Sequence, residues 1–467
     1  MHITIIGAGY VGLVSGACFA DLGWRVTCVD INEKRIAGLR AGHVPIFEPG
    51  LEEVITRNAQ AGRLTFETEL EPAIADADAV FIAVGTPPME DGRADTAAVA
   101  AAAVDIAKAL KGYTVIVIKS TVPVGTGPYI ERLIREANPQ ADFSVTSNPE
   151  FLREGSAIRD FMEPDRIVIG HDDERAGDVL RALYAPLEQT NAPIVATDQA
   201  TAELIKYAAN SFLAAKVAFI NEMADLCDEI GANVDDLGRA IGLDARIGNA
   251  FLRPGPGYGG SCFPKDTLAL AAQAQEADCP VRIVEAVVAS NAHHVRRLVR
   301  KIERHCMSAW RRLGRADTGF AGKTIAVLGL SFKSNTDDIR YASSLVILPQ
   351  LAKHGVRVQA YDPAAMDNAA SVMKEIVYCD SMRAALDGAD AVLVLTEWPE
   401  FLAMDWDDLK SRMKSPVMVD FRNLYAPEDV GAQGVAYFSL GRPEAGLEAS
   451  GDAQVTRLTG TTLQAVD

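Results

Sequence analysis

The stretch Gly257-Tyr258-Gly259-Gly260-Ser261-Cys262-Phe263-Pro264-Lys265-Asp266 carries the densest chemistry in the chain. Pro264 suits the first turn of a helix, where its missing N–H costs nothing, so Cys262 falls just ahead of a helix N-terminus. The positive end of that helix, with Lys265 nearby, is expected to lower the pKa of the thiol and raise its thiolate fraction. The preceding glycines give a substrate close access to the backbone. A lone cysteine is more often inert packing, but this setting is that of a nucleophile.

A second constellation opens the chain. Gly7-Ala8-Gly9-Tyr10-Val11-Gly12 follows the apolar run Ile3–Ile6 and leads into Tyr10–Leu22, which has helical spacing. Gly7 allows a tight turn, Gly9 lets backbone approach a pyrophosphate, and Gly12 lets helix and strand pack closely. The helix N-terminus then offers free N–H groups and a positive dipole end to phosphate. The next apolar run, Arg25–Val29, ends in Asp30. A carboxylate there accepts ribose hydroxyls and repels a 2′-phosphate, so NAD is expected in preference to NADP. A lone glycine motif is weak evidence, but its strand–turn–helix–strand–Asp context makes it specific.

The elements that must position these residues alternate. Further short apolar runs at Ala79–Val84, Thr114–Ile118, Phe143–Thr146 and Arg166–Ile169, with helix-like segments between several of them, imply a mostly parallel, doubly wound sheet. Gln199–Ile230 contains no proline and stops at Gly231, which predicts one long helix. Several helical segments follow to about Trp310, interrupted by the loop around Pro254–Gly260. A second α/β unit begins at Lys323: strand Thr324–Leu328, turn Gly329, helix Ser343–His354, strand Arg357–Tyr361, then strands at Ala391–Leu395 and Val417–Asp420. The fold class is therefore α/β, with two Rossmann-like doubly wound domains joined by a long central helix and a helical region. The expected divisions are 1–197, 198–310 and 311–440, with a loose tail over 441–467.

Bulk properties agree. The chain has 467 residues, enough for two or three cores, and a formal net charge of -18 that disfavours nucleic acid as a partner. The basic segment from Arg296 to Arg315 runs against that sign and reads as a solvated helix face, with contact to an acidic neighbour or subunit as the alternative. No apolar run is long enough to span a bilayer, and the start has no signal-peptide pattern. Seven cysteines without CxxC pairs suit reduced thiols, hence a cytoplasmic location, and the histidines make no HxxxH spacing, so no metal is expected.

Together these motifs resemble the UDP-glucose/GDP-mannose dehydrogenase family from Met1 to about Leu440. The resemblance is carried by the Gly7 loop, Pro45–Leu51, Gly85-Thr86-Pro87, Lys119–Thr126, Asn148–Gly155, Glu203–Asn210, the Cys262 loop, Gly329–Lys333 and Asp337–Arg340. It implies a homodimer and an NAD-dependent oxidation of the C6 alcohol of a nucleotide sugar, UDP-glucose foremost, to the carboxylate. It implies cofactor contacts from Gly7, Gly9, Tyr10, Val11, Gly12, Asp30, Arg35, Thr86, Thr121, Glu154, Lys265 and Arg340. Substrate contacts are implied for Glu150, Phe151, Leu152, Arg153 and Glu154, for Lys206 and Asn210, and for Phe251-Leu252-Arg253-Pro254-Gly255 with Gly259. Phe332, Lys333 and Arg422 match positions that hold UDP, and Arg246 matches one that reaches across the dimer. Tyr258 stands where Phe is usual and Ser334 where Pro is common; neither removes a reacting group.

Alcohol to acid is a four-electron oxidation, and a thiolate on Cys262 would hold the half-oxidised sugar as a thiohemiacetal and then a thioester. Lys206, desolvated in an apolar helix, is expected to have a lowered pKa and to assist proton removal or steady an alkoxide. Asn210, four residues on, faces the same way and can donate to an oxyanion. Asp266 can order water or accept a proton, Glu150 is the expected base for thioester hydrolysis, and Thr121 is expected to hold the water beside it. Rival readings are another sugar (GDP-mannose or UDP-N-acetylmannosamine), a two-electron hydroxy-acid dehydrogenase that would not need Cys262, and a non-catalytic nucleotide-binding scaffold.

Overall fold

The structure, a computed structural model, describes residues 1–190, 192–315 and 319–446. Short runs of apolar residues, buried on both faces in the inner strands, build two mainly parallel sheets. The first contains β1 (His2–Ile6), β2 (Arg25–Val29), β3 (Leu64–Glu67), β4 (Ala79–Ile82), β5 (Thr114–Ile118), β6 (Phe143–Ser147), β7 (Ile167–His171) and β8 (Ile194–Thr197). Their order is β3-β2-β1-β4-β5-β6-β7-β8. Every neighbouring pair is parallel except β6 and β7.

The second sheet contains β9 (Thr324–Leu328), β10 (Arg357–Tyr361), β11 (Val377–Tyr378), β12 (Ala391–Val394), β13 (Val417–Asp420) and β14 (Ala436–Ser439). It is wholly parallel, in the order β11-β10-β9-β12-β13-β14. Strand order reverses between β1 and β4 and again between β9 and β12, opening a crevice at the carboxyl ends of each sheet.

Between the sheets runs the helix Gln199–Ile230. The Asp198 carboxylate accepts the Thr201 N–H at 2.8 Å, and Gly231, at φ 75°, ends the helix in the left-handed region. Its buried face includes Glu203, Lys206, Tyr207, Asn210, Ser211 and Ala214. Charged residues are rarely buried unless paired, so this face already points to a site. Helices Phe263–Glu276 and Arg282–Arg312 pack against it.

The last of these is one helix of 31 residues, and it closes the run of helical segments that the sequence carries to about Trp310. It contains most of the basic stretch. Arg296, Arg300 and Arg304 are exposed, whereas Arg297 pairs with Glu229 at 3.0 Å and Lys301 with Asp228, both carboxylates on the long helix. Leu298, Ile302, Cys306 and Trp310 enter the core of the second sheet together with Phe320 and Leu348. The region beyond Cys306, which carries no motif, thus holds packing residues.

Residues 441–446, grouped by composition with a loose tail, are packed. The Gly441 N–H donates to Asp228 at 2.9 Å, Arg442 pairs with Asp235 at 3.0 Å, and Ala445 bridges to Tyr437. Small polar residues hide such backbone pairing from a reading by composition. The rest of the expected tail, 447–467, lies outside the described residues. Among the described residues no helix is long and apolar enough to cross a membrane.

Candidate active site

Two cavities meet at the Gly7–Gly12 loop, at the carboxyl ends of β1 and β4. One, of about 540 Å3, is bounded by Gly7, Asp30, Ile31 and the alanine-rich face of helix Ala97–Ala109. The other, of about 350 Å3, gathers Gly9, Tyr10, Val11, Thr86, Thr121, Glu150, Leu152, Glu154, Cys262, Lys265 and Arg340. Residues far apart in sequence and assigned separately to cofactor and chemistry thus share one cleft.

The loop fits a dinucleotide. A Cβ on Gly12 would sit 1.8 Å from the Gly7 carbonyl oxygen, so close packing of helix on strand demands glycine there. A Cβ on Gly9 would meet no protein atom within 4 Å, so its absence leaves open space in the cleft. Asp30 accepts the Ala8 N–H, the Asn32 N–H and the Arg35 guanidinium, each at 2.8 Å. It therefore fixes the loop from behind while keeping a carboxylate at the end of β2. The Tyr10 hydroxyl donates to Glu48, which also accepts the N–H groups of Gly155 (2.6 Å) and Ala157 (2.8 Å). This ties the loop after β6, where Glu150 and Glu154 sit, to the first helix.

Cys262 is the N-cap of helix Phe263–Glu276, as its spacing before Pro264 predicts. The expected lowering of its pKa is not found. Burial pushes the Cys262 thiol up, and the Glu150 and Asp266 carboxylates add to that, against the opposing pull of Lys206. Lys265 cannot help, because its ammonium lies 2.6 Å from Asp266 and is neutralised there.

The expectation for Lys206 is also corrected. Burial alone would pull its ammonium down, but Glu150, then Cys262 and Asp266, outweigh burial and the net shift is upward. Lys206 and Glu150 form a buried ion pair at 2.8 Å. Burial pushes Glu150 the other way, yet Lys206 and the Leu152 N–H hold its carboxyl below the usual range. The pair is thus ammonium and carboxylate, not amine and acid.

One helical turn on, the Asn210 amide donates to Asp266 at 2.6 Å, so the two side chains expected to flank the thiol do touch. Thr121 is half-buried in the same cavity, and its carbonyl accepts the Thr86 hydroxyl at 2.8 Å.

Residues assigned by resemblance to the nucleotide sugar converge from three elements. Phe251, at φ 64°, starts the loop; Leu252, Pro254 and Gly255 are buried, and Arg253 donates to the Asn423 carbonyl at 2.8 Å. The Gly255 N–H donates to Asn221 at 2.9 Å. Gly259 lies so near the backbone that a Cβ there would be 2.5 Å from the Tyr341 carbonyl oxygen. Phe332 and Lys333 follow β9, and Arg422 follows β13, donating to the carbonyls of Phe332 (2.6 Å) and Leu395 (2.8 Å). Burial pulls the Lys333 ammonium down, against Glu154 and Cys262, which places it in the field of the thiol.

Two assigned residues stand apart, and a third lies beside Lys206. Arg246 is 89% exposed and holds its own Asp244 at 2.6 Å. Arg153 points outward onto Asp160. Phe151 is covered by the Arg166 guanidinium, 3.5 Å from its ring centroid, with the Lys206 ammonium at 5.4 Å.

Two side chains in the cleft were not singled out by sequence. Lys119 faces the second cavity, fully buried at the end of β5, and donates to Asn148 at 3.0 Å. Burial pushes its ammonium down to about 8, with Glu150 opposing. A lysine directly after five buried strand residues was the available signal. Ser261 donates to Glu154 at 2.8 Å, beside the thiol.

A dinucleotide cleft in the first of two doubly wound domains, with a thiol and a buried lysine–carboxylate pair at its mouth, defines an NAD-dependent oxidoreductase. The chain belongs to the UDP-glucose/GDP-mannose dehydrogenase family: residues 1–188 match its NAD binding domain, 200–293 its central domain and 326–427 its UDP binding domain. It is 53% identical to the UDP-glucose 6-dehydrogenase of Rhizobium meliloti, over 95% of this chain and 100% of that protein. Among solved structures, a UDP-glucose dehydrogenase from Pyrobaculum islandicum is 40% identical with a TM-score of 0.81, covering 90% of this chain and 94% of the other. A UDP-D-ManNAc dehydrogenase from Pyrococcus horikoshii is 25% identical with a TM-score of 0.79, covering 95% and 99%.

Proposed function

We propose that this enzyme oxidises UDP-glucose to UDP-glucuronate, holding the half-oxidised sugar covalently on Cys262. The observation that carries the reading is the buried Lys206–Glu150 pair in the field of a thiol that lines the dinucleotide cleft. The choice of sugar rests on likeness: identity is 53% and 40% to UDP-glucose dehydrogenases, against 25% to the UDP-D-ManNAc enzyme.

The residues that would hold NAD are the Gly7–Gly12 loop, Asp30 and the cavity walls from Thr86, Thr121, Glu154, Lys265 and Arg340. Each NAD accepts one hydride, so loss of four electrons takes two of them and passes through an aldehyde. Cys262 adds to the aldehyde carbon, giving a thiohemiacetal whose C–H is lost as hydride to leave a thioester. Lys206, held cationic by Glu150, stabilises negative charge developing on the C6 oxygen, and the Asn210 amide can donate to it from the same face. Asp266 orients Lys265 and Asn210. Glu150, an ionised carboxylate with lone pairs to spare, accepts a proton from the water that splits the thioester, beside Thr121. Phe332, Lys333 and Arg422, with the loop Phe251–Gly259, bind the nucleotide.

The protein acts as a homodimer in this reading. The long helix exposes Leu204, Phe212, Phe219 and Leu226 at steps of seven or eight residues, an apolar stripe suited to a second copy. Arg246, exposed and outside the lining of this chain's own cleft, would then serve the partner's. Unpaired cysteines throughout suit the cytoplasm.

The test is a comparison of UDP-glucose, UDP-N-acetylmannosamine and GDP-mannose under NAD, alongside Cys262→Ala. Acid formation is expected fastest from UDP-glucose. It is expected to be nearly abolished in Cys262→Ala, with NAD affinity kept. Normal turnover by that variant would end the covalent mechanism, and preference for another sugar would end the substrate assignment.

A further inference from the structure

A buried thiol whose pKa is raised needs somewhere to put its proton before it can attack. Charged groups face Cys262 from several elements: Lys206, paired with Glu150; Asp266, which takes Lys265 on one oxygen and Asn210 on the other; and Lys333 and Arg340, which lie in the field of both the thiol and Glu154. The side chain hydrogen-bonded to the thiol among the described residues is Ser261: its Oγ lies 3.5 Å from Cys262 Sγ and 2.8 Å from Oε1 of Glu154.

We propose that Ser261 and Glu154 form the route by which Cys262 loses its proton, a role that rests on Cys262 being the nucleophile. An ionised carboxylate only accepts, so the Ser261 hydrogen points at Glu154 and its lone pairs face the thiol. The directions are then fixed as Sγ–H to Oγ, and Oγ–H to Oε1. When the Sγ–H bond breaks, its proton joins Oγ as the Ser261 proton joins Oε1. Sulfur keeps its electron pair, and the net change is one proton moved from Cys262 to Glu154 with no oxidation or reduction. Ser261 is left donating to the thiolate, and protonated Glu154 donates to Ser261. The Thr336 hydroxyl, 3.0 Å from Oε2, holds the carboxyl in place. Arg340, which lies 3.6 Å from Oε1, is bound more closely by Asp338 at 2.6 Å. Burial first, then Asp338, pushes Glu154 above the usual carboxylate range, which makes it a better acceptor for the proton of the thiol, itself raised by burial.

Such a pair has a signature in its pH dependence. While the two groups share one proton, the thiolate fraction does not vary with pH. A thiol acting alone loses thiolate about tenfold per pH unit below its pKa. The experiment is the rate of iodoacetamide labelling of Cys262 in the full chain without substrate, read by mass on the peptide that carries it, so that exposed Cys279 is not counted. Across neutral pH the wild-type rate is expected to fall less steeply than that of a lone thiol. Glu154→Gln is expected to fall about tenfold per pH unit; Ser261→Ala, whose thiolate loses its hydrogen-bond donor, is expected to label about tenfold more slowly than wild type at each pH, and Ser261→Thr, which keeps a hydroxyl, at the wild-type rate. A wild-type profile as steep as that of Glu154→Gln, or an unchanged rate in Ser261→Ala, would overturn the relay. So would faster labelling in Glu154→Gln at neutral pH, the result if Glu154 acted only as a repelling charge. Because labelling needs no turnover, these outcomes are separate from normal catalysis by Cys262→Ala, which would refute the nucleophile itself.

Discussion

Lys119 and Lys206 are two buried ammonium groups near one carboxylate, and they meet opposite fates. Lys206 touches Glu150 and is held charged; Lys119 has only amide and phenol partners and is pushed down to about 8 from an ordinary 10.5. A lysine lowered by folding is bound to its proton more tightly in the unfolded chain. Stability therefore rises with pH between the folded and unfolded values, here from about 8 to about 10.5. The full effect is on the order of 3 kcal/mol, one pKa unit being about 1.4 kcal/mol. Lys119→Met is expected to flatten that rise, as read from denaturant midpoints across the range; an unchanged slope would show that Lys119 is not the group responsible. At this scale the sequence was legible for position and illegible for charge. The spacing of Cys262 before Pro264 was enough to place the thiol at a helix start. It could not reveal that Lys265 turns onto Asp266, or that Glu150 arrives from another domain to keep Lys206 cationic. The first turns on a side-chain rotamer and the second on a tertiary neighbour.

The loop between β1 and its helix shows how far an element can be read from its glycines. Gly12 is demanded by a backbone contact and Gly9 by open space, so substitution should separate folding from binding. Gly12→Ala is expected to cost roughly 1–3 kcal/mol of stability through overpacking, and to lose NAD affinity. Gly9→Ala should keep its melting temperature while NAD affinity falls at least about tenfold, about 1.4 kcal/mol. Equal stability loss in the two variants would contradict this division. Among the strands, the four that apolar patterning missed are β3, β8, β11 and β14, the outermost of each sheet. Inner strands of a parallel sheet are apolar on both faces and stand out as unbroken runs. Edge strands such as β8 and β11 are short and half exposed and carry no such run. The antiparallel pairing of β6 with β7 is likewise invisible locally, because it is set by where the chain re-enters the sheet.

Across the whole molecule, the order α/β, helical, α/β follows from the texture of the sequence alone, while the meeting of the domains does not. Glu203 on the long helix accepts the N–H groups of Gly125 (2.7 Å) and Gly127 (2.8 Å), and Gln273 exchanges two hydrogen bonds with Val124. Glu154 takes the Thr336 hydroxyl across the cleft. These contacts bring thiol, lysine and carboxylates from separate domains into one cavity. The apolar stripe on the same helix carries the oligomer proposal. Phe212→Glu, at a position 69% exposed in the single chain, is expected to yield monomers by sedimentation that bind NAD but make little acid. A dimer that persists would remove the stripe from the interface. The proposed mechanism turns on two successive oxidations of one carbon, tethered to Cys262 before the second. Its most direct test is to supply limiting UDP-glucose with excess NAD and count the NADH formed: two per sugar is the predicted result, and one per sugar, with free aldehyde released, would contradict it.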